Sequence, residues 1–235
     1  MLANKLQGNT YPGRGIVLGA SPNGQYAVQV FWTMGRSANS KKRVIAIDTD
    51  GIVKTIPTTT DELIKPDLVI YPLAAEADGL YVISNGSQTT DICADIAGGA
   101  SLEQALDKWR FEHDEPIYTP RITGVGHVKN GAHSYQLCIV KPYQNNPDYC
   151  LRQVFSYDRA LAGQGHCIHT YAENGNPCPS FSGEPFCTPL FDDIDETLAH
   201  YWSVLPQDYI VGMIVKFIDI QTGKTKIAIR NAIQA

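Results

Sequence analysis

The sequence predicts an α+β protein of antiparallel sheets with helices on the outside. Three observations point there. Strand-length apolar runs recur in the first quarter and again in the second half, divided by turn dipeptides such as Asn23-Gly24, Asp50-Gly51, Asn130-Gly131 and Thr222-Gly223. Helical periodicity is confined to residues 92–109 and 193–205. The strands follow one another through hairpins rather than helical crossovers, which argues against a doubly wound parallel sheet.

Taken in order, Arg14–Ala20 and Tyr26–Trp32 are strands around the turn Ser21-Pro22-Asn23-Gly24, and Arg43–Thr49 and Leu80–Ser84 follow. The period then changes. Ile92, Cys93, Ile96 and Ala97 share a helical face until Gly98-Gly99, and Ser101 with Gln104 forms a capping box opening a helix that buries Leu102, Ala105, Leu106 and Trp109. Ile122–Val128, Tyr135–Lys141 and Leu151–Tyr157 are the next strands, and residues 174–189 read as a Gly/Pro/Cys-rich loop. A helix starting at Asp193 presents Ile194, Leu198, Tyr201 and Leu205 on one face. Strands Ile210–Ile218 and Lys224–Arg230 close the chain, and with no linker or repeat the expectation is one domain, 1–235.

Composition excludes several classes. The 235 residues are 43% hydrophobic and 18% charged, and 19 Lys plus Arg against 24 Asp plus Glu give a net charge of −5. That is no overall basic surface for a nucleic-acid backbone, although a local basic pocket is compatible with it. No run approaches the roughly 20 apolar residues that span a bilayer, so no membrane association is expected. Residues 1–13 carry one Lys and no hydrophobic segment, and six cysteines are too sparse for a disulfide scaffold, so the expected setting is a reducing cytoplasm. Cys167, Cys178 and Cys187, with His166 and His169 nearby, admit a metal reading. Their spacings match no zinc pattern, and no metal is the preferred expectation.

Four polar clusters fall between elements. The first, Gly35 to Arg43, gathers Arg36, Lys41, Lys42 and Arg43 with Ser37, Asn39 and Ser40; it reads either as a solvated loop or as an anion-binding loop. The second, Ser84 to Asp91, feeds a helix and serves either as capping chemistry or as a small-anion cradle. The third, Arg110 to Glu115, places carboxylates at the end of the second helix, where they oppose the macrodipole; Glu112 and Asp114 are acid/base candidates. The fourth, Thr170-Tyr171 with Pro179 to Pro185, is either a pocket wall or an ordinary surface excursion.

These clusters are what the chain shares with a known family. It resembles the archaeal-type inosine monophosphate (IMP) cyclohydrolases and their bacterial relatives. The matching pieces are Gly35-Arg36-Ser37-x-Asn39-Ser40, Tyr71, Ser84-Asn85-Gly86-Ser87-Gln88-Thr89, Phe111-Glu112-x-Asp114 and Thr119-Pro120-Arg121-Ile122, in the family's order. Fourteen residues run from Tyr71 to Asn85, close to the family's spacing; the match is good from about residue 13 to 128 and looser beyond.

The resemblance implies a four-layer αββα sandwich of the N-terminal nucleophile hydrolase type, without that fold's usual nucleophile. It implies an enzyme that closes 5-formamidoimidazole-4-carboxamide ribotide to IMP and water in purine biosynthesis, with no metal or organic cofactor, as a homo-oligomer. Carried over residue by residue, the catalytic tyrosine falls on Tyr71 and the catalytic glutamate on Glu112. The catalytic arginine falls in the basic loop, with Lys41 the nearest match and Arg43 two positions on, and a lysine there would lose the bidentate fork. Substrate contacts are expected from Arg36, Ser37, Asn39, Asn85, Gly86, Ser87, Thr89, Asp114 and Arg121. Two other readings stand beside this one: an amide hydrolase of the same fold, and a non-catalytic nucleotide-binding relative.

Overall fold

The central strands of the first sheet, Gly15–Ala20, Tyr26–Met34 and Ile210–Asp219, are buried along nearly their whole length because both of their faces are covered. The computed structural model describes residues 5–58 and 69–233. β1 (Gly15–Ala20) and β2 (Tyr26–Met34) form the predicted hairpin, closed by Ser21 and Gly24 with Gly24 at φ 69°. They sit inside a six-stranded sheet with β10 (Gln164–His169), β11 (Phe186–Pro189), β12 (Ile210–Asp219) and β13 (Thr225–Asn231), in the order β11-β10-β1-β2-β12-β13. A second sheet of five strands runs β5 (Ala74–Ala77), β6 (Leu80–Ser84), β7 (Arg121–Lys129), β8 (Ala132–Tyr143) and β9 (Asn146–Tyr157). Every pairing among these strands is antiparallel.

The two sheets face each other. Ile16 and Leu18 point inward, and a Cβ on Gly124 of β7 would lie 2.9 Å from both, so this glycine sets how closely the sheets approach. Helices cover the far sides. α2 (Gln88–Ala97) and α3 (Leu102–Leu106) bury Ile92, Cys93, Leu102 and Leu106 against Leu80, Val82, Val125 and Val140. α4 (Ile194–Val204) covers the first sheet, where Tyr201 donates to Pro189 O at 2.8 Å and Arg230 stacks on Trp202. Its N-cap Asp193 accepts from the backbone of Asp195 and Glu196, and α3 carries the expected Ser101–Gln104 capping box. No described helix is long and apolar enough to cross a membrane.

The strand count exceeds the sequence reading. β5, β10 and β11 were hidden because they are short or interrupted by Gly and polar residues; β11 lies within the stretch read as a loop, pairing only with β10. β4 (Val53–Pro57) pairs with β3 (Arg43–Ile47) in a separate two-stranded sheet. Asn231 fastens that sheet to β13 by accepting from Ile45 N and donating to Ile45 O, as a backbone would. β8 and β9 are also longer than read, forming one twelve-residue-per-strand hairpin.

Two corrections bear on the site. The run from Gly35 to Arg43 is not an open basic loop: Ser37 and Ser40 cap a short helix, α1 (Ala38–Lys41), and Arg43 already belongs to β3. The third cluster does not lie at a helix end either. α3 stops at Leu106, Trp109 lies beyond it, and residues 110–115 form a loop whose carboxylates are set by a cavity rather than by a macrodipole.

Candidate active site

A cavity of about 390 Å³ opens where β1 begins and β2 and β10 end, closed from the other sheet by the loop that precedes β7. Three arginines line it, each from a different segment: Arg14 before β1, Arg36 after β2 and Arg43 at the start of β3. Arg43 is fully buried, donating through Nη1 to Val69 O at 3.1 Å and through Nη2 to Thr33 Oγ1 at 2.9 Å. Burial pulls its pKa down while Tyr71 and Glu112 support the charge, and a guanidinium stays protonated through such a shift. Burial also disfavours the Arg14 charge, but Tyr171, Glu112, Tyr71 and Tyr11 more than offset it and hold its pKa above the ordinary arginine value. Arg36 lies over the Tyr11 ring and donates to Asn174 Oδ1 at 2.9 Å and Gly175 O at 2.6 Å.

The acidic counterpart is Glu112, 1% exposed. Its backbone N–H donates to Thr119 O at 2.9 Å, and its Oε2 is buried without a hydrogen-bond partner among the described residues. Burial raises its carboxyl to about 7, against Arg14, Arg121 and Arg43, which pull it down, while Asp114 pushes it up. Tyr71 is likewise buried, its hydroxyl without a partner among the described residues and its ring 5.9 Å from the Arg43 guanidinium. Orphaned polar atoms are rare in folded proteins, and here Glu112 Oε2 and Arg14 Nε belong to residues of the cavity wall and Tyr71 Oη to a residue beside Arg43. Asp114 contributes from the same loop, accepting from Thr119 N at 2.7 Å and Thr119 Oγ1 at 2.5 Å.

The other expected residues divide. Arg36, Ser37, Asn39, Arg43, Glu112 and Asp114 line the cavity, and Tyr71 sits behind Arg43. Lys41 does not line it: its Nζ donates to Asp208 O at 2.7 Å, over the Tyr209 ring. Asn85, Gly86, Ser87 and Thr89 do not line it either. Asn85 accepts from Ile122 N at 2.7 Å and donates to Pro120 O at 2.9 Å, while Thr89 Oγ1 donates to Pro72 O at 2.7 Å. That turn is spent on joining α2 to β7. Arg121 stands behind Glu112, its Nη1 3.8 Å from Oε1, tied to Gln88 Oε1 at 2.8 Å and to Arg110 O at 2.9 Å and stacked on Trp109.

Sequence reasoning missed Arg14, Tyr11 and Val69 in the cavity wall. A signal existed for Arg14, a lone cation between two glycines directly ahead of an all-apolar strand. Tyr171 from the fourth cluster also lines the cavity. The cysteine-rich stretch builds no ligand set: among the described residues no group of three or more His, Cys, Asp or Glu side chains could hold a metal ion. Cys187 instead contacts His166 Nε2 at 3.4 Å, and His166 Nδ1 contacts Tyr135 Oη at 2.6 Å.

No curated protein matches the sequence significantly. A family model does, that of the IMP cyclohydrolase-like proteins, over residues 11–224. That span takes in every wall of the cavity, from Tyr11 and Arg14 through Arg43 and Glu112 to Tyr171, and the chain therefore belongs to the IMP cyclohydrolase-like family.

Proposed function

We propose that this cavity binds 5-formamidoimidazole-4-carboxamide ribotide and closes it to IMP and water, a step of purine biosynthesis. The observation that carries the reading is Glu112: a buried carboxyl raised to about 7, facing a cavity with three arginines, in a chain of this family. A group with that affinity gives up and takes back a proton near neutral pH with little free-energy difference, which is what a shared acid and base requires. The carboxamide nitrogen attacks the formyl carbon and passes a proton to Glu112. Glu112 returns that proton to the formyl oxygen, giving the carbinolamine hydroxyl; it then carries the formamido N–H proton to this hydroxyl, which leaves as water, so the enzyme ends as it began.

Arg43, rather than Lys41, fills the role of the family's arginine in this reading. It presents a fork at the cavity, beside Tyr71, where a developing oxyanion gains most from a preorganised donor. Tyr71 orients or protonates the departing oxygen. Arg36, Ser37 and Asn39, at the outer and more exposed part of the wall, suit the ribotide phosphate, and Asp114 the ribose or base. Arg121 acts from behind by fixing Glu112, while the turn carrying Asn85, Gly86, Ser87 and Thr89 serves to hold α2 to β7. The reading also takes the two facing sheets with outer helices as the αββα sandwich of the N-terminal nucleophile hydrolase type, in one domain, and takes the working enzyme as a homo-oligomer without metal or organic cofactor.

Incubation with the formamido-ribotide, followed by IMP formation, tests it. Glu112→Gln and Tyr71→Phe each lower turnover about 100-fold or more, the usual scale of general acid–base catalysis. Undiminished rates in both remove them from the mechanism; binding without turnover in the wild type overturns the enzyme reading.

A further inference from the structure

Residues 174–178 open the Gly/Pro/Cys-rich stretch, and the reading above gives them no role. The loop that carries them is fastened across its base and to the chain near Asn9 and Thr10. Ala172 N donates to Pro179 O at 2.9 Å, and Asn9 Nδ2 donates to Ala172 O at 2.9 Å. Asn174 N donates to Thr10 Oγ1 at 3.2 Å, and Gly175 N donates to Asn174 Oδ1 at 3.0 Å. Cys178 Sγ donates to Gly175 O at 3.4 Å. A Cβ on Gly175 would lie 2.9 Å from Pro177 O, so the turn closes this tightly only around a glycine. Asn174 Oδ1 and Gly175 O are thereby held in place, and both accept from Arg36.

A guanidinium carries five N–H groups in a fixed plane, two of them on Nη1. The two oxygens take both Nη1 protons, at 2.9 Å and 2.6 Å. Three remain, one on Nε and two on Nη2, and they make no hydrogen bond among the described residues. Arg36 lines the cavity with Tyr11, whose ring centre lies 5.1 Å from its guanidinium, whereas Asn174 and Gly175 do not line it. Nη1 is therefore turned out of the cavity, and the edge left for an incoming group is the Nε–Nη2 fork, which matches two oxygens of a phosphate. Both acceptors on Nη1 are neutral oxygens. They orient the side chain without neutralising it, so its full charge stays available to an anion.

We infer that Asn174, together with the Gly175 carbonyl, is a positioning residue that presents the Nε–Nη2 edge of Arg36 to a phosphate monoester bound in the cavity. The inference rests on the proposed function for the identity of that phosphate, the one carried by the ribotide. Asn174 never touches the substrate in this account; it acts through Arg36, by removing in advance the rotamer freedom that a long, partly exposed side chain would lose on binding. Its own side chain is exposed, so Asn174→Ala removes the acceptor without opening the core.

The test pairs steady-state rates on the formamido-ribotide with calorimetric binding of IMP and of inosine, which lacks the phosphate. Asn174→Ala raises KM and the Kd for IMP about three- to tenfold, with kcat within about twofold of wild type and the Kd for inosine unchanged. Arg36→Ala alone raises KM and the IMP Kd by about tenfold or more, and adding Asn174→Ala to it costs less than about twofold further, because the residue it acts through is already gone. Additive losses in the double variant, or an equal loss for IMP and inosine, overturn the inference. A wild type that binds IMP more tightly than inosine yet closes no ribotide ends the ribotide reading, and the binding cycle still decides this one. A wild type that forms IMP but binds IMP and inosine equally overturns this inference alone.

Discussion

Replacing Glu112 by Gln should make the protein more stable at alkaline pH while abolishing its work, and the structure sets the size of the effect. Burial raises the Glu112 carboxyl from 4.5 to about 7 in the folded chain. The folded state therefore binds this proton more tightly than the unfolded one, so the stabilisation is complete below about 4.5 and is lost as pH rises through 7. The gap corresponds to about 3 kcal/mol at pH 8 and under about 1 kcal/mol at pH 5. Gln keeps the shape and cannot ionise, so it escapes the loss. Urea denaturation at both pH values measures it: the variant's midpoint lies close to wild type at pH 5 and about 1 M higher at pH 8. A variant less stable than wild type at pH 8 would refute the reasoning, since it would mean that Arg14, Arg43 and Arg121 outweigh burial and hold Glu112 ionised.

Other outcomes follow from the same contacts. Arg43→Lys keeps the charge but cannot donate at once to Val69 O and Thr33 Oγ1 and face the cavity, so kcat/KM for IMP formation falls about 100-fold, whereas Lys41→Ala stays within about threefold of wild type. Comparable losses in the two would restore Lys41 to the site. Asn85→Ala orphans the buried Ile122 N–H and lowers unfolding free energy by about 1–3 kcal/mol, with kcat of the folded fraction little changed. Thermal or urea unfolding beside active-site titration separates those two effects.

The sequence made the architecture legible where pattern and turn chemistry agree. The hairpin at Asn23-Gly24, the α3 capping box and the α4 face each have a local cause, and each appears where its cause is. What stayed hidden depends on partners distant in sequence. β11 is a strand only because β10 lies beside it, and β5 only because β6 does. The site divides in the same way. Glu112 and Asp114 were visible as carboxylates in an unusual place, but their reason was misread, because a helix that stops at Leu106 cannot be told from its apolar period alone. The resemblance puts the family's arginine nearest Lys41, with Arg43 two positions on. Only the turn from α1 into β3 sends one out to Asp208 and the other into the core.

Substrate binding should raise the Glu112 pKa further, and the direction follows from what the ligand adds to the cavity. A bound ribotide excludes solvent from a site where burial already dominates, and its phosphate, seated at Arg36, adds negative charge to the same cavity. Both effects disfavour the carboxylate. The limb of the pH profile set by Glu112 lies near 7 in kcat/KM, which reports the free enzyme, and higher in kcat, which reports the complex. Rates of IMP formation at saturating and limiting substrate between pH 5.5 and 9, ~0.5 unit apart, resolve the two limbs. A kcat limb below the kcat/KM limb would show that the ligand brings a cation closer to Glu112 instead of drawing one away. In that case Arg36, which the Asn174 and Gly175 contacts now hold at the outer wall, would be the group to have moved, and an Arg36→Gln variant would return the kcat limb to the higher value.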